Sequence, residues 1–308
     1  MILSLGSINA DFLVRADEPP SGPGSSLARD LLRTAGGKGA NVAVLAARLG
    51  VPVRLLGCVG DDDLADQALA GPRAVGVDLS GVRRRQGPTG YASVVVPPDG
   101  AKTIVLFTGA NDAWADDAAA VATDVRAAPD RSLLVVSLEV PGEVVAAALR
   151  AARERGFVTV LDPAPPDRLD ASLFELADHL TPDHSEAEEL TGIDTSDDEG
   201  ASKAAQALRD RGAGTVHVKL AKGGCVVASE DGTTVVRAPD VDPVDATGAG
   251  DAFAGALGWA LHEGRDAVDA ARAAVAASTI AVTVFGSQES YPSPDDLAAM
   301  VERVQVER

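Results

Sequence analysis

The stretch VDATGAGDAFAGAL, residues 244–257, governs how the rest of the chain is read. It predicts a strand end, a glycine turn and the first turns of a helix. Gly248 and Gly250 carry no Cβ, so successive backbone N–H groups can converge on one point and an anion can come close. From Ala249 onward the residues are apolar helix formers almost all round, which predicts a buried helix whose first N–H groups need an acceptor. Phosphate suits that place. Two carboxylates bracket the turn: Asp245 before the glycines, and Asp251 on the first helical turn, where the helix dipole favours negative charge. Amides that carry charge on a transferring group, next to a carboxylate that takes a proton, are what phosphoryl transfer to an alcohol requires. A glycine turn opening a helix is also, more simply, a tight connection with a cap, so one such turn does not decide between the two.

A second glycine-led helix start lies upstream. TAGGKGAN, residues 34–41, runs into the apolar helical pattern VAVLAARLG, residues 42–50. The spacing G-x-x-x-x-G-K-[ST] of a phosphate-binding P-loop is absent, because Lys38 sits between glycines. Gly36, Gly37 and Gly39 leave room for a small ligand against the backbone, and Asn41 offers a donor and an acceptor from the first turn. Asn9 and Asp11, two apart after the apolar run ILSLGS, are expected to project to one side of an extended segment and to hydrogen-bond a polyol; an Asx turn is the plainer alternative.

Outward from these two points the pattern is α/β. Residues 51–60 read as a strand, and residues 60–82 as a helix broken at Gly71-Pro72 that leads into another strand. Residues 89–97 and 102–107 are β-rich runs separated by Pro98-Asp99-Gly100, a hairpin signal. With the Pro- and Gly-punctuated residues 16–33, they are expected to form a small sheet closing over the site. From residue 133, strands at 133–139, 158–165, 177–192 and 215–229 alternate with helices at 143–155 and 201–211, which predicts βαβ units and a parallel sheet. The ligand crevice of such a sheet lies at the carboxyl ends of the strands, where Asn9, Asp11, Glu139, Asp183, Glu186 and Asp251 are expected. Glu186 and Glu189 are open to the plainer reading of a solvated helix face. Residues 267–284 read as a packed alanine-rich helix. Residues 285–292 return as a loop whose carbonyls could line an ion site beside Asp245.

A chain of 308 residues with 46% hydrophobic content can bury one large core. It holds no apolar run of about eighteen residues and no leader-like start, so a cytoplasmic protein is expected. The net charge of −19 argues against nucleic-acid and anionic-membrane partners. Backbone amides with Mg²⁺ can still hold a phosphate locally in so acidic a chain. Cys58 and Cys225 lie in apolar contexts with no second cysteine nearby and read as buried thiols.

The two glycine motifs, together with GSINAD (6–11), TGAN (108–111), LDPAP (161–165) and TPDHSEAEELTG (181–192), resemble the ribokinase (PfkB) family of carbohydrate kinases over nearly the whole chain. The resemblance implies a single kinase domain spanning 1–308, a three-layer α/β/α architecture with a mostly parallel central sheet, and a small β lid formed by about 12–34 and 88–108. It implies ATP as donor, Mg²⁺, a monovalent activator such as K⁺, and a homodimer formed through the lid. Carried over by position, Asp251 would be the base and Gly248, Ala249 and Gly250 the anion hole. Asn9, Asp11, Gly37, Lys38, Asn41 and Glu139 would hold the sugar. Asp183, Lys219, Ala221 and Gly224 fall on the nucleotide side, Glu186 where Mg²⁺ is ordered, and Asp245, Thr247, Gly286 and Ser290 at the monovalent cation.

Two positions depart from the family pattern. Asp183 replaces the asparagine of Asn-x-x-Glu and would repel a triphosphate, while Ala221 puts a methyl group where a glycine usually admits phosphate. Lys219 and Lys222 add positive charge that could offset Asp183. The leading expectation is phosphorylation of D-ribose at its 5-hydroxyl, since a polyol must be recognised by paired polar groups. Alternatives are a kinase for another small sugar (fructose, 2-keto-3-deoxygluconate), a nucleoside kinase using Phe12 or Phe107 to stack a base, and a sugar-binding relative with a weakened nucleotide site. A dinucleotide oxidoreductase fails because no G-x-G-x-x-G follows the first strand.

Overall fold

In the computed structural model, which describes residues 1–16, 25–96, 103–114 and 117–307, the apolar run at the start becomes Ile2–Leu5 (β1). Asn9–Ala16 (β2) and Ala28–Gly36 (β3) follow, then Lys38–Arg48 (α1), Val53–Val59 (β4), Leu64–Ala68 (α2), Ala70–Ala74 (α3) and Val82–Arg84 (β5). Gly90–Val96 (β6) and Thr103–Phe107 (β7) precede Ala118–Arg126 (α4), Leu133–Ser137 (β8), Gly142–Glu154 (α5), Val158–Asp162 (β9) and His179–Leu180 (β10). The remainder comprises His184–Thr191 (α6), Asp198–Asp210 (α7), Thr215–Lys219 (β11), Cys225–Ser229 (β12), Gly232–Arg237 (β13), Ala249–His262 (α8), Ala267–Ala281 (α9), Pro294–Val301 (α10) and Gln305–Glu307 (β14).

Ten strands form one sheet in the order β14-β13-β12-β11-β10-β9-β8-β1-β4-β5, parallel from β11 to β5 and antiparallel from β11 to β14. The central strands β1 and β8 are buried along their whole length, as continuous apolar runs covered on both faces must be. One face packs on α1, α8 and α9, the other on α4, α5 and α7, so the layers are helix, sheet, helix. Helix α5 buries Val144, Val145, Ala148, Leu149 and Ala152 at helical spacing and leaves Glu143 and Arg150 outside. Helix α8 packs tightly on the sheet because Gly258 has no side chain: a Cβ there would be 2.7 Å from Val135 Cγ2.

The second sheet runs β3-β2-β6-β7, with β2 parallel to β6 and the outer pairs antiparallel. Residues 28–33 of β3 and all of β7 are exposed. Pro19, Pro20, Gly22 and Pro23, and the Pro98-Asp99-Gly100 turn, lie outside the described residues.

Three local expectations are corrected. Residues 244–247 are not a strand end but a loop. Val244 and Asp245 donate backbone hydrogen bonds to Val282 O (2.7 and 3.1 Å), and Asp245 Oδ1 accepts from Thr247 N at 2.9 Å, an Asx turn that competes with extension. Consequently Asp251 follows no strand. The break in the helix expected within residues 60–82 falls at Leu69, and Gly71-Pro72 sit in the first turn of α3, where a missing N–H costs nothing. Asn9 and Asp11 open β2 of the smaller sheet instead of ending β1.

Candidate active site

The side chains of the two glycine-led helices meet. Asn41 Nδ2, on the first turn of α1, donates to Asp251 Oδ2 at 2.7 Å, and Lys38 Nζ lies 3.4 Å from Asp251 Oδ1. Gln288 Nε2 in turn donates to Asn41 Oδ1 at 2.9 Å, which fixes the orientation of the Asn41 amide. Asp251 is 7% exposed.

The two helix starts differ in what satisfies them. At α1, Ser7 takes the first amides: Lys38 N donates to Ser7 Oγ at 2.9 Å and Ala40 N to Ser7 O at 3.2 Å. Ser7 Oγ then donates to Glu139 Oε2 at 2.5 Å, so Glu139 is joined to the start of α1. At α8 no side chain caps Gly248, which holds φ at 75°. The glycines of residues 36–39 also serve the chain's own packing, because a side chain on any of them would meet neighbouring residues. A Cβ on Gly36 would stand 1.9 Å from Asp11 Oδ2, on Gly37 2.5 Å from Ser7 O, and on Gly39 2.8 Å from Gly6 C. Gly250 is the contrasting case: among the described residues beyond its own helix turn, such a Cβ would meet Lys219 Nζ alone, at 3.6 Å.

Asn9 and Asp11 line the base of the smaller sheet. Asn9 Oδ1 accepts from Asn111 Nδ2 at 2.7 Å, and Asn111 Oδ1 accepts from Ile8 N at 2.9 Å. Asp11 Oδ1 is buried with no partner among the described residues, a cost that a hydroxyl donor from a ligand would remove. Burial, with Glu139 and Asp251 nearby, pushes the Asp11 carboxyl up to about 7. Burial likewise raises Glu139, against the pull of Lys38 and Ser7. For Lys38, burial works against the charge, but Asp251, Asp162 and Glu139 outweigh it and hold the ammonium well above its usual range.

A cavity of about 830 Å³ runs from Lys38 and Asp251 past the start of α8 to the β11–β12 turn, with Ile104 of β7 on its rim. Asp183, Glu186, Lys219, Ala221, Gly224, Thr247, Gly248, Ala249 and Gly250 all line it. Asp183 is the N-cap of α6: its Oδ1 accepts from Glu186 N at 2.8 Å, while Asp183 N donates to Glu186 Oε2 at 2.7 Å, a reciprocal capping box. Burial pushes the Asp183 carboxyl up, but these bonds, Ser185 and the Lys219 charge outweigh it and leave it lowered. Glu186 is no solvated face: burial, with Asp162 and Asp183 adding to it, pushes its carboxyl up to about 7. Glu189 is exposed. Lys219 thus offsets Asp183 as expected, and it also pairs directly with Asp162 Oδ1 at 3.2 Å.

Asp245 ties two loops together, accepting from Thr247 N and Oγ1 through Oδ1 and from Gly286 N at 3.0 Å through Oδ2. Ser290 Oγ donates to Ser287 O at 2.6 Å in the second loop. Cys58 and Cys225 are buried thiols, and burial raises both.

Four residues of this region escaped the sequence reading. Ser7 and Asn111 sit in quoted motifs but act through backbone geometry that spacing does not reveal. Gln288 was covered only by a loop described as a whole. Asp162, the last residue of an apolar strand, carried one usable signal: a carboxylate at a carboxyl strand end, in the same sheet as Lys219.

The chain matches the model of the pfkB family carbohydrate kinases over residues 1–294. It is 34% identical to a ribokinase of Haemophilus influenzae over 300 residues, covering 97% of each chain. To a deoxyribokinase of Salmonella typhi it is 32% identical over 296 residues, covering 95% of each. The fold superposes on the ribokinase of Arabidopsis thaliana, solved with ribose and ATP, with a TM-score of 0.86 at 29% identity and 98% coverage of both chains.

Proposed function

The chain belongs to the pfkB family of carbohydrate kinases and is a ribokinase-like sugar kinase, and from that premise we propose that it transfers the γ-phosphoryl group of ATP to the 5-hydroxyl of free D-ribose. The observation that carries this reading is the opposition of Asp251 and Lys38 at the mouth of a cavity that also contains the uncapped start of α8.

In this reading the sugar lies against Asn9, Asp11, Gly37, Lys38, Asn41 and Glu139, and its reacting hydroxyl stands beside Asp251. Asp251, steadied by Asn41, accepts the hydroxyl proton as the oxygen–phosphorus bond forms. The amides of Gly248, Ala249 and Gly250 carry the charge on the transferring group. The bond from phosphorus to the bridging oxygen breaks, and ADP leaves past Lys219, Ala221 and Gly224. The orphaned Asp11 Oδ1 supports a ligand with hydroxyl donors in this place.

The residues fit the implied ions. Among the described residues no group of three or more His, Cys, Asp or Glu side chains could cage a metal. Mg²⁺ is commonly held by one or two carboxylates plus substrate phosphates, and Glu186 on the cavity wall, with Asp183 beside it, suits that. Mg²⁺ would supply charge neutralisation between donor phosphates. Asp245, Thr247, Gly286 and Ser290 present only oxygen donors, the chemistry of a hard monovalent ion such as K⁺. No helix among the described residues is long and apolar enough to cross a membrane. We place the protein in the cytoplasm as a homodimer whose smaller sheets face one another. Leu31 at 53% exposure, Val105 at 62% and Phe107 at 41% are the apolar surface that a second copy would cover.

The test is ADP release by purified protein with Mg²⁺ and K⁺, across ribose, 2-deoxyribose, fructose, 2-keto-3-deoxygluconate, adenosine and inosine. Ribose is expected to give the highest kcat/KM; absence of sugar-dependent ADP release overturns the proposal. One observation favours a nucleoside as second reading: Tyr91 stacks tilted on Phe107 at 5.3 Å and edge-on to Phe12 at 6.2 Å, an aromatic group on the lid where a base could rest. Faster turnover of adenosine or inosine than of ribose would establish it.

A further inference from the structure

Asp162 ends β9, is 2% exposed, and has no part in the sugar or nucleotide contacts proposed above. It lies between two cations that do. Its Oδ2 is 3.5 Å from Lys38 Nζ, and its Oδ1 is 3.2 Å from Lys219 Nζ and 3.4 Å from Thr181 Oγ1. Lys38 is shared again, 3.4 Å from Asp251 Oδ1. Charge therefore alternates along one chain of side chains, Asp251, Lys38, Asp162, Lys219, and the last of these reaches the α8 start beside Gly250. Each ammonium faces a carboxylate on both sides, Glu139 and Glu186 also act on Lys38, and Glu186 and Asp183 on Lys219, so neither buried cation is left uncompensated.

The balance is local and can be redistributed. A phosphate at the α8 start places negative charge next to Lys219 and competes with Asp162 for that ammonium. Whatever Lys219 gives up, Asp162 recovers by drawing Lys38 closer. Lys38 then weighs less on Asp251, which is left to the sugar hydroxyl. An ion chain of this length is the kind of contiguous network that can couple two sites, with coupling commonly about 5- to 150-fold in affinity.

We propose that Asp162 is a positioning residue that couples the two halves of the site: by sharing its carboxylate between Lys38 and Lys219, it makes occupancy of the phosphate side felt at Asp251. The inference rests on the kinase reading above, and its test is separable from that reading. Ribose affinity is measured by calorimetry with and without a non-hydrolysable ATP analogue and Mg²⁺, for the wild type, Asp162→Asn and Asp162→Ser. In the wild type the analogue is expected to shift the ribose Kd at least about fivefold. In both variants the shift falls to less than about twofold, while each ligand alone still binds. A structural role only would weaken both affinities or lower the Tm while preserving their ratio. Asp162→Ser, smaller and with a hydroxyl that can still meet Thr181 Oγ1, keeps the test decisive if Asp162→Asn does not fold. A wild-type ratio near one, or an unchanged ratio in the variants, overturns the inference. A wild type that releases no ADP with any sugar overturns the kinase reading instead.

Discussion

Replacing Asp251 by Asn removes a charge and a proton acceptor while keeping the shape of the side chain. The structure limits the collateral damage. The new amide oxygen can still accept from Asn41 Nδ2, and Lys38 keeps Asp162 as a partner at 3.5 Å. Lys38 retains a second carboxylate, so losing the largely buried Lys38–Asp251 pair costs about 1–2 kcal/mol, less than leaving a buried charge unpaired. In a chain of 308 residues each kcal/mol lowers Tm by roughly 1.5 °C, and sugar Kd is expected to rise less than about tenfold. Loss of a general base costs much more, about 10²–10⁴ in kcat, or ~3–5 kcal/mol of barrier. The assay pairs ADP release at saturating sugar and ATP with calorimetric sugar binding. A large fall in kcat with modest changes in Kd and Tm is the expected result. Unchanged kcat, or a fall matched by an equal loss of binding, would show that Asp251 only holds the sugar.

Other variants test the surroundings. The Asp11 carboxyl, raised to about 7 from 3.8, binds more protons in the folded than in the unfolded chain, so its contribution is complete below about pH 4 and lost as pH rises through 7. Relative to Asp11→Asn, the wild type is expected to lose up to about 2 kcal/mol of unfolding free energy between pH 5.5 and 7.5; denaturant curves at the two pH values check this, and equal losses would refute it. Gly36→Ala, with its methyl 1.9 Å from Asp11 Oδ2, is expected to cost about 1–3 kcal/mol of stability and to raise the sugar KM. Gly250→Ala, with nothing nearer than 3.6 Å, is expected to fold normally yet lose at least about tenfold in kcat/KM for ATP, because the methyl stands where phosphate approaches the amides; normal kinetics would remove those amides from the anion hole. Asn caps a helix as well as Asp does, so Asp183→Asn is expected to leave Tm unchanged. It should lower the ATP KM up to roughly fivefold by removing a like charge; a higher KM would mean that the carboxylate serves Mg²⁺.

The sequence made the layered fold and the two helix starts legible because both depend on local signals: apolar period, glycine placement and β-rich runs. Lys38 and Asp251 come from two separate motifs, and their side chains meet at 3.4 Å. Legibility ended where side chains compete with backbone. The extended look of residues 244–247 gave way to an Asx turn at Asp245, whose carboxylate outbids a strand partner. The glycines of residues 36–39 read as room for a ligand, and spacing does not reveal the second demand on them: Ser7, Asp11 and Gly6 stand where their side chains would be. Asp162 illustrates the remaining limit: nothing in LDPAP says that two lysines, 124 and 57 residues away, converge on one carboxylate.

The bond from Gln288 to Asn41, spanning 247 residues, has a consequence for when the protein becomes active during synthesis. Domains emerge from the ribosome amino-terminus first, so α1 and α8 can pack while the loop that steadies Asn41 is still inside the exit tunnel. A nascent chain at that stage would have most of its core but an unanchored amide next to Asp251. Catalytic competence is then expected to arrive as a late, separate step after compaction, with residues 285–291 acting as the final latch.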